Sequence, residues 1–326
     1  MKPTLLSLFI ASAFIGSASA HEYDFKKDFP TMPEGLEHIG DSHGEIDVDS
    51  NGLIYVSVAG GKKHGIQIYT ADGKYLRNLP NSRNNHHGFT IVREDGKDFI
   101  YASCLGDSKT AALKLTTTGE IVMEIPLSAL PAEEGAKGKD GKTKFALTHI
   151  DVAPNGDIYI IDGYSSDKIF IFDKAGNYKR RIGGKMKPWK FANAHKFAID
   201  PRFEPARLLV CDRVNGRLVH LSLDGEVIGD FATNLRRPSA VDFHGDLVCV
   251  AEIAGRVTVL DKEGEIVSEL GKNDDKKLIN TNRTAPEKWE EGLTTAPHGI
   301  SFDTNGDVIT TEWNKWGRIL RWDVKK

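Results

Sequence analysis

Short stretches in which apolar and polar residues alternate, each followed by a turn that contains glycine, recur along most of the chain. Alternation with a period of two predicts β-strands, and an Asx-Gly turn between two such strands predicts an antiparallel hairpin. The three clearest copies of this pattern are 44–56, 148–160 and 297–309. Weaker copies begin at His87, His195 and Ser239, so that units begin at residues 44, 87, 148, 195, 239 and 298. The chain is therefore predicted to consist of six β-rich repeats.

Most units continue with a third strand, a tight turn and a fourth strand. Segments 169–177 and 218–226 show the third strand with its turn, and 178–182 has the pattern of a fourth strand. Four antiparallel strands per unit are typical of the blades of a β-propeller. The sequence therefore predicts an all-β fold, a six-bladed β-propeller.

The two ends of the chain are predicted to close this ring. The sixth unit stops at Lys326 after three strands, whereas the segment from Tyr23 to Phe29, which has the pattern of a strand, belongs to no unit. We expect the N-terminal segment to supply the missing outer strand, because an unpaired strand edge is a liability. Two long polar connections, 130–146 and 272–296, each lead into an inner strand and should lie on one face of the disc, where loops commonly build sites.

The first twenty residues have the pattern of a signal peptide. Lys2 is followed by an apolar stretch at 5–16 that is too short to span a membrane, and Ala18-Ser19-Ala20 is a small-residue cleavage site. The sequence thus predicts two parts, a signal peptide at 1–20 and a propeller at 21–326, and places the mature protein in the periplasm or outside the cell.

Composition narrows the partners that we expect. With 40% hydrophobic and 27% charged residues, the chain is unlike a collagen, a coiled coil or a disordered protein. A net charge of −3 argues against binding to nucleic acid, which usually requires a basic face. No stretch of the mature sequence is long and apolar enough to cross a bilayer. We expect a monomer without a membrane anchor that acts on a small molecule or a peptide.

Histidines occupy the start of the innermost strand in alternate units. His87, His195 and His298 stand there in units two, four and six, whereas the other three units have Gly44, Thr148 and Ser239. Alternate blades of a six-bladed ring are related by about 120°, so three imidazoles should converge on the axis. Three histidines with one open position are typical of a catalytic zinc site. His149 is expected to line the same mouth and to contact the substrate. The histidines without this pattern are interpreted as solvated or structural: His38, His43, His64, His220 and His244.

Three motifs carry a family resemblance. The segments 162–169, 194–199 and 212–218 resemble, in the same order, motifs of the lyase domain of peptidylglycine α-amidating enzymes, a six-bladed propeller of the NHL type. The resemblance implies that His87, His195 and His298 bind zinc, that Tyr164 is the catalytic base, and that Arg213 is an active-site arginine that contacts substrate. The implied reaction cleaves a peptidyl-α-hydroxyglycine into a peptide amide and glyoxylate.

The chain departs from this family at three positions. Val58 replaces a second active-site arginine, Ala296 replaces a methionine, and Gly299 replaces an aspartate that helps to bind a structural calcium. We therefore expect no calcium, and weak lyase activity unless Lys62 or Lys63 supplies the missing charge. The C-terminal segment 311–318 resembles instead the sequences of less characterised secreted bacterial propellers. Two alternatives remain open, a metal-dependent hydrolase such as a lactonase, and a non-enzymatic NHL propeller that binds peptide or glycan.

Overall fold

The structure is a computed structural model, and it describes residues 21–138 and 141–325. The signal peptide predicted at 1–20 lies outside the described residues. Within those residues, six four-stranded antiparallel sheets form the blades of a propeller, and the prediction of an all-β six-bladed fold is confirmed. No helix in the described ranges is long and apolar enough to cross a membrane.

Each blade is a meander of four strands, and its first strand is the one nearest the axis. Blade 1 contains β2 to β5: Ile46–Val48, Ile54–Val58, Gly65–Tyr69 and Tyr75–Asn78. Blade 2 contains β6 to β9: Phe89–Glu94, Lys97–Ser103, Thr110–Thr116 and Ile121–Pro126. Blade 3 contains β12 to β15: His149–Val152, Ile158–Ile161, Lys168–Phe172 and Tyr178–Gly183. Blade 4 contains β16 to β19: Ala194–Asp200, Arg207–Asp212, Arg217–Ser222 and Val227–Ala232. Blade 5 contains β20 to β23: Pro238–His244, Leu247–Glu252, Arg256–Leu260 and Ile266–Leu270.

The sixth blade combines the two ends of the chain. It contains β24 to β26, Pro297–Phe302, Val308–Glu312 and Arg318–Val324, and its fourth strand is β1, Tyr23–Phe25. Strand β1 runs antiparallel to β26, with Tyr23 opposite Val324 and Phe25 opposite Trp322. A small hairpin, β10 and β11 at Ala136–Lys137 and Thr143–Lys144, lies in the connection between blades 2 and 3.

The turns between strands are formed by the Asx-Gly motifs of the sequence. In blade 6, Asp303 Oδ1 accepts hydrogen bonds from the backbone N–H groups of Asn305 at 2.8 Å and Asp307 at 3.0 Å. Gly306 has a φ of +87°, a left-handed conformation that glycine adopts without strain. The side chain of the first turn residue and the glycine together fix a tight hairpin, which sets the register of the two inner strands.

Apolar side chains fill the space between neighbouring blades. Six buried clusters correspond to the six interfaces; the cluster between blades 3 and 4, for example, contains Ile171, Phe197 and Val210. Burial of one such side chain contributes roughly 2 kcal/mol to stability. The packing makes the ring a rigid scaffold for the loops at its two faces.

Histidine side chains join neighbouring blades at one end of the axial channel, which we call the upper mouth. His87 Nδ1 lies 2.8 Å from the Thr148 carbonyl oxygen, His195 Nδ1 lies 2.7 Å from that of Ser239, and His298 Nδ1 lies 2.9 Å from that of Gly44. Each even-numbered blade is thereby linked to the next odd-numbered blade. The alternation seen in the sequence is thus an alternation of contacts between blades.

Aspartate side chains join the other three interfaces, lower in the channel. The Oδ2 atoms of Asp47, Asp151 and Asp242 accept backbone N–H bonds from the next blade at 2.6, 2.7 and 2.7 Å; the donors are Ile91, Ile199 and Phe302. Each odd-numbered blade is thereby linked to the next even-numbered blade. Histidine and aspartate links together connect all six neighbouring pairs.

Deletion of residues 21–30 should lower the stability of the propeller substantially. Tyr23 and Phe25 pack against the cluster between blades 5 and 6, and the rings of Phe25 and Trp322 are 5.9 Å apart. Loss of these contacts and of the β1 pairing should cost about 4 kcal/mol, which corresponds to a melting temperature lower by roughly 10 °C. Circular dichroism melting measures this shift.

A matched pair of substitutions controls for effects of truncation. Phe25 faces the core of the sixth blade and Asp24 is exposed on the same strand. Phe25→Ser should reproduce much of the loss, whereas Asp24→Ser should melt close to the wild type. A deletion variant that melts at the wild-type temperature would show that β1 does not stabilise the ring.

Candidate functional site

The upper mouth brings the three blade-start histidines together. The ring centroids of His87, His195 and His298 are 5.0 Å apart for His87 and His195 and 4.8 Å apart for the other two pairs. All three side chains are buried, and each comes from the start of an inner strand. The fold therefore gathers at one point three residues that are more than a hundred positions apart in the sequence.

The backbone determines which nitrogen of each imidazole faces the centre. A carbonyl oxygen only accepts hydrogen bonds, so the Nδ1 atoms of His87, His195 and His298 must carry the proton. Their Nε2 atoms are then unprotonated and face the centre of the cluster. Metal-binding histidines are usually held in this way, with one nitrogen donating to a carbonyl and the other free to bind the metal.

A fourth histidine, His43, belongs to the same cluster. Its ring lies 4.7 Å from that of His87 and 5.0 Å from that of His298, and ligand nitrogens of these three residues are all within 4.8 Å of one another. The sequence interpretation, which grouped His43 with the solvated or structural histidines, did not predict this contact. His43 precedes the repeat position Gly44 by one residue, so no periodic signal could have found it.

Tyr164 places its hydroxyl at the centre of these rings. Its oxygen is 3.0 Å from Nε2 of His87, 3.0 Å from Nε2 of His195 and 3.1 Å from Nε2 of His43. Tyr164 lies in the loop between β13 and β14 of blade 3, on the same face as the strand starts. The tyrosine that the family resemblance singled out is thus in direct contact with the histidine cluster.

The hydrogen-bonding groups of the cluster do not balance among the described residues. One phenol carries one proton and can satisfy only one of the imidazole nitrogens around it. The Nε2 atom of His298 is buried and has no hydrogen-bond partner among the described residues. Leaving such acceptors unsatisfied in a buried position is costly. The donor set, neutral imidazole nitrogens around a common centre, fits zinc or a similar transition-metal ion.

The electrostatics of the cluster favour neutral imidazoles. Burial is the main reason why the pKa values of His87, His195 and His298 lie well below their ordinary value. Burial also lowers the pKa of His43, to about 4. The positive charge of Lys196, next to His195 in the chain, acts in the same direction. At neutral pH the histidines are therefore unprotonated, which is the state that binds a metal.

Arg213 lies beside Tyr164 at the edge of the cluster. Its guanidinium carbon is 5.9 Å from the centre of the Tyr164 ring, and its Nη2 donates to Ser239 Oγ at 3.1 Å. Burial raises the pKa of Tyr164, and the positive charge of Arg213 opposes that shift. Because burial is the larger effect, Tyr164 is a neutral phenol in the metal-free site.

A buried ion pair lies below the histidines. Lys196 Nζ is 2.8 Å from Glu45 Oε2, and both side chains are almost completely buried. His149 lies at this lower level, with Nδ1 3.6 Å from Glu45 Oε2 and its ring 5.6 Å from that of Phe197. The structure therefore places His149 beneath the cluster rather than beside Tyr164.

The axial channel widens below this ion pair. A cavity of about 870 Å³ is lined by Glu45 and His149 at its inner end and by Asp47 and Asp151 further down. The Lys196–Glu45 pair thus stands between the histidine cluster and the lower part of the channel. A substrate of the cluster must approach from the upper mouth, where the long connections lie.

The positions at which the chain departs from the resembling family do not supply the missing groups. Val58 is buried in the core between blades 6 and 1, and Lys63 Nζ lies 4.7 Å above the ring of Tyr75. Ala296 is completely buried. A side chain at Gly299 would start 2.5 Å from Glu45 Oε1, so an aspartate could not replace it without movement of its neighbours. The idea that Lys63 reaches the site is not supported.

Comparison with known proteins gives the same fold. Residues 146–285 match the model of the DUF5128 family, described as a 6-bladed beta-propeller. Similar solved structures include virginiamycin B lyase from Staphylococcus aureus (TM-score 0.58, 15% identity, 93% of this chain and 100% of that one). A protein of unknown function from Bacteroides thetaiotaomicron aligns with TM-score 0.64 and 10% identity over 94% and 76% of the two chains. A gluconolactonase from Xanthomonas campestris aligns with TM-score 0.58 and 12% identity over 88% and 89%.

Proposed function

We propose that the protein is a zinc-dependent carbon–nitrogen lyase that cleaves a small α-hydroxylated amide such as a peptidyl-α-hydroxyglycine. The observation that carries this proposal is the contact between the Tyr164 hydroxyl and the histidine cluster, beside the buried guanidinium of Arg213. These are the groups to which the resemblance to α-amidating lyases assigns catalysis. Propellers of similar fold include a lyase and a gluconolactonase, so the scaffold suits either chemistry.

The metal would be held by histidine nitrogens. Ligand nitrogens of His43, His87 and His298 lie within 4.8 Å of one another. The ring of His195 lies 5.0 Å from that of His87 and 4.8 Å from that of His298, so either His43 or His195 would complete the set. When bound, the ion would polarise the substrate hydroxyl and stabilise the phenolate form of Tyr164 by its charge. The absence of a carboxylate from this cluster, as far as the described residues show, favours the lyase over a hydrolase that uses carboxylate ligands.

Tyr164 would act first as a base and then as an acid. Its phenolate oxygen accepts the proton of the substrate hydroxyl, and the electron pair left on that oxygen forms the C=O bond of glyoxylate. The electron pair of the breaking C–N bond moves to nitrogen, which takes a proton back from the Tyr164 phenol. Peptide amide and glyoxylate are released, and the tyrosine returns to its starting state.

Arg213 would support this proton transfer and hold the substrate. Its positive charge lowers the pKa of Tyr164 against the effect of burial. Charge-assisted hydrogen bonds from a guanidinium are well suited to a substrate carboxylate. The position of Arg213, over the tyrosine ring and at the edge of the histidine cluster, supports the proposal of both roles.

Tyr164→Phe should abolish lyase activity without loss of the metal. The substitution removes the proton acceptor and leaves the histidines in place, so glyoxylate release should fall by roughly 10² to 10⁴-fold. The measurement is glyoxylate formation from an N-acyl-α-hydroxyglycine by the zinc-loaded protein, with metal content determined on the same samples. Tyr178→Phe, in the outer strand of the same blade, is the matched control and should retain activity.

Other substrates separate the proposal from its alternatives. Chelator-sensitive release of glyoxylate that requires Tyr164 supports the lyase. Hydrolysis of a lactone without cleavage of any hydroxyglycine would favour a lactonase, and no turnover at all would favour a non-enzymatic binding protein. We further propose that the mature protein is a periplasmic or secreted monomer that acts on a small molecule or peptide.

A further inference from the structure

The guanidinium of Arg213 is buried without a negative partner. Its side chain is 5% exposed, and no carboxylate forms an ion pair with it among the described residues. Its Nη2 donates to the neutral hydroxyl of Ser239, whereas its Nε has no hydrogen-bond partner within residues 21–138 and 141–325. An unpaired cation at such depth is costly unless a ligand supplies the opposite charge.

A second arginine stands close to it in the next blade. Arg237 precedes β20 of blade 5, two residues before the Ser239 that Arg213 contacts. Its side chain is exposed and forms no ion pair or hydrogen bond in the part of the chain that the structure describes. After burial, which has the largest effect, the charge of Arg237 is among the causes that lower the pKa of Arg213. Two positive charges therefore lie on neighbouring blades at the upper mouth, near enough for one to affect the other.

The backbone of Arg237 is held in an unfavourable conformation. Its φ is +63°, a left-handed value that is uncommon for a residue other than glycine or asparagine. Hydrogen bonds fix it there, from the Arg237 N–H to the Leu235 carbonyl at 3.0 Å and from the Ile253 N–H to the Arg237 carbonyl at 3.1 Å. Glycine would fit this position without strain, so stability alone does not explain an arginine.

We infer that Arg213 and Arg237 together form an anion subsite at the upper mouth, and that Arg237 is a specificity-determining residue for substrates that carry a carboxylate. The inference deepens the proposed function and rests on it for the identity of the substrate. Arg237 would supply the second positive charge that Val58 does not. Its place at the start of blade 5, beside Arg213 of blade 4, brings that charge to a part of the mouth two blades away from blade 1.

Binding of sodium glyoxylate to the zinc-loaded protein tests the subsite directly. Isothermal titration should give an affinity roughly tenfold lower for Arg237→Gln and Arg237→Gly than for the wild type, because each loses one charge-assisted contact. Arg237→Gly should melt at or above the wild-type temperature, which excludes misfolding as the cause. A rise in ionic strength should weaken binding to the wild type more than to either variant.

Arg236→Gln is the matched control. Arg236 is adjacent in sequence and carries the same charge, but its guanidinium is already paired with Asp274 at 2.5 Å. This variant should bind glyoxylate as the wild type does. Equal affinity in all four proteins, or an equal loss in Arg236→Gln, would overturn the inference, because the effect of Arg237 would then be absent or only a general effect of surface charge.

Turnover separates the failure of this inference from the failure of the proposed function. If the lyase reaction occurs, Arg237→Gln should raise KM for an N-acyl-α-hydroxyglycine about tenfold and change kcat little. Turnover with an unchanged KM would overturn the inference and leave the lyase intact. Glyoxylate binding that depends on Arg237, in a protein that cleaves no hydroxyglycine, would support the subsite and overturn the lyase.

Discussion

Replacement of His298 by glutamine should reduce the zinc bound by the purified protein from about one ion per chain to less than roughly a tenth of that amount. Among the described residues the buried Nε2 atom of His298 has no hydrogen-bond partner, so it is available to bind an ion at the centre of the cluster. The metal-free variant should remain folded, because the NH2 group of glutamine can donate to the Gly44 carbonyl in place of His298 Nδ1. Elemental analysis after zinc loading and removal of excess metal measures the loss.

Three further glutamine variants make this experiment specific. His149→Gln should keep the metal, because His149 lies at the level of Glu45, below the cluster. His43→Gln and His195→Gln should differ, and the variant that loses more metal identifies the third ligand. Wild-type protein that binds no zinc, copper, iron or nickel after loading would refute the metal centre.

A fall in pH from 7.5 to 5 should destabilise the metal-free protein by several kcal/mol. Burial lowers the pKa of six histidines: His43, His86, His87, His149, His195 and His298. For His86 the folded value is about 4. Below the unfolded value of about 6.5 the unfolded chain takes up protons that the folded chain does not bind, so each histidine costs up to about 2 kcal/mol at pH 5.

The axial aspartates oppose this trend in part. Burial raises the pKa of Asp151 to about 7, and it raises those of Asp47 and Asp242 as well. Their contribution to stability is lost as the pH rises through the folded pKa, so it returns as the solution becomes acidic. Burial also raises the pKa values of Glu45, Asp162 and Asp167, so these carboxyl groups reduce the loss of stability that the six histidines cause.

Urea unfolding at pH 7.5, 6 and 5 in the presence of a chelator measures the balance. His86→Gln, which lies outside the cluster, should lose about 2 kcal/mol less than the wild type over this range. Asp151→Asn should lose more than the wild type, because it lacks one of the opposing groups. A stability that is constant or rises toward pH 5 would contradict the assignment of neutral buried histidines.

The repeat pattern was sufficient to predict the fold because each turn and strand is determined locally. Asp303 and Gly306 form their turn through contacts within five residues. Six copies of this kind of sequence motif specify six blades. The convergence of His87, His195 and His298 also follows from the repeat, since equivalent positions in alternate blades must face the same axis. In both cases a periodic signal in the sequence corresponds to a symmetric feature of the ring.

Contacts that do not follow the repeat could not be predicted in this way. His43 reaches the cluster from one residue before its repeat position, and His149, one residue after its own, lies at a lower level. Successive side chains of an extended segment point in different directions, so a shift of one residue changes the level or face that it occupies. The proximity of Arg213 and Arg237 depends on two loops of neighbouring blades, for which the sequence carries no common pattern.

Because the links between blades alternate, even-numbered and odd-numbered blades of the ring are not equivalent. An even-numbered blade offers a histidine to its successor near the upper mouth, and an odd-numbered blade offers an aspartate to its successor lower in the channel. The structural unit is therefore a pair of blades, used three times. Gain or loss of a single blade would bring two blades of one kind together and leave an interface with the wrong link. A propeller of this design can change its size only by whole pairs if it is to keep its histidine centre.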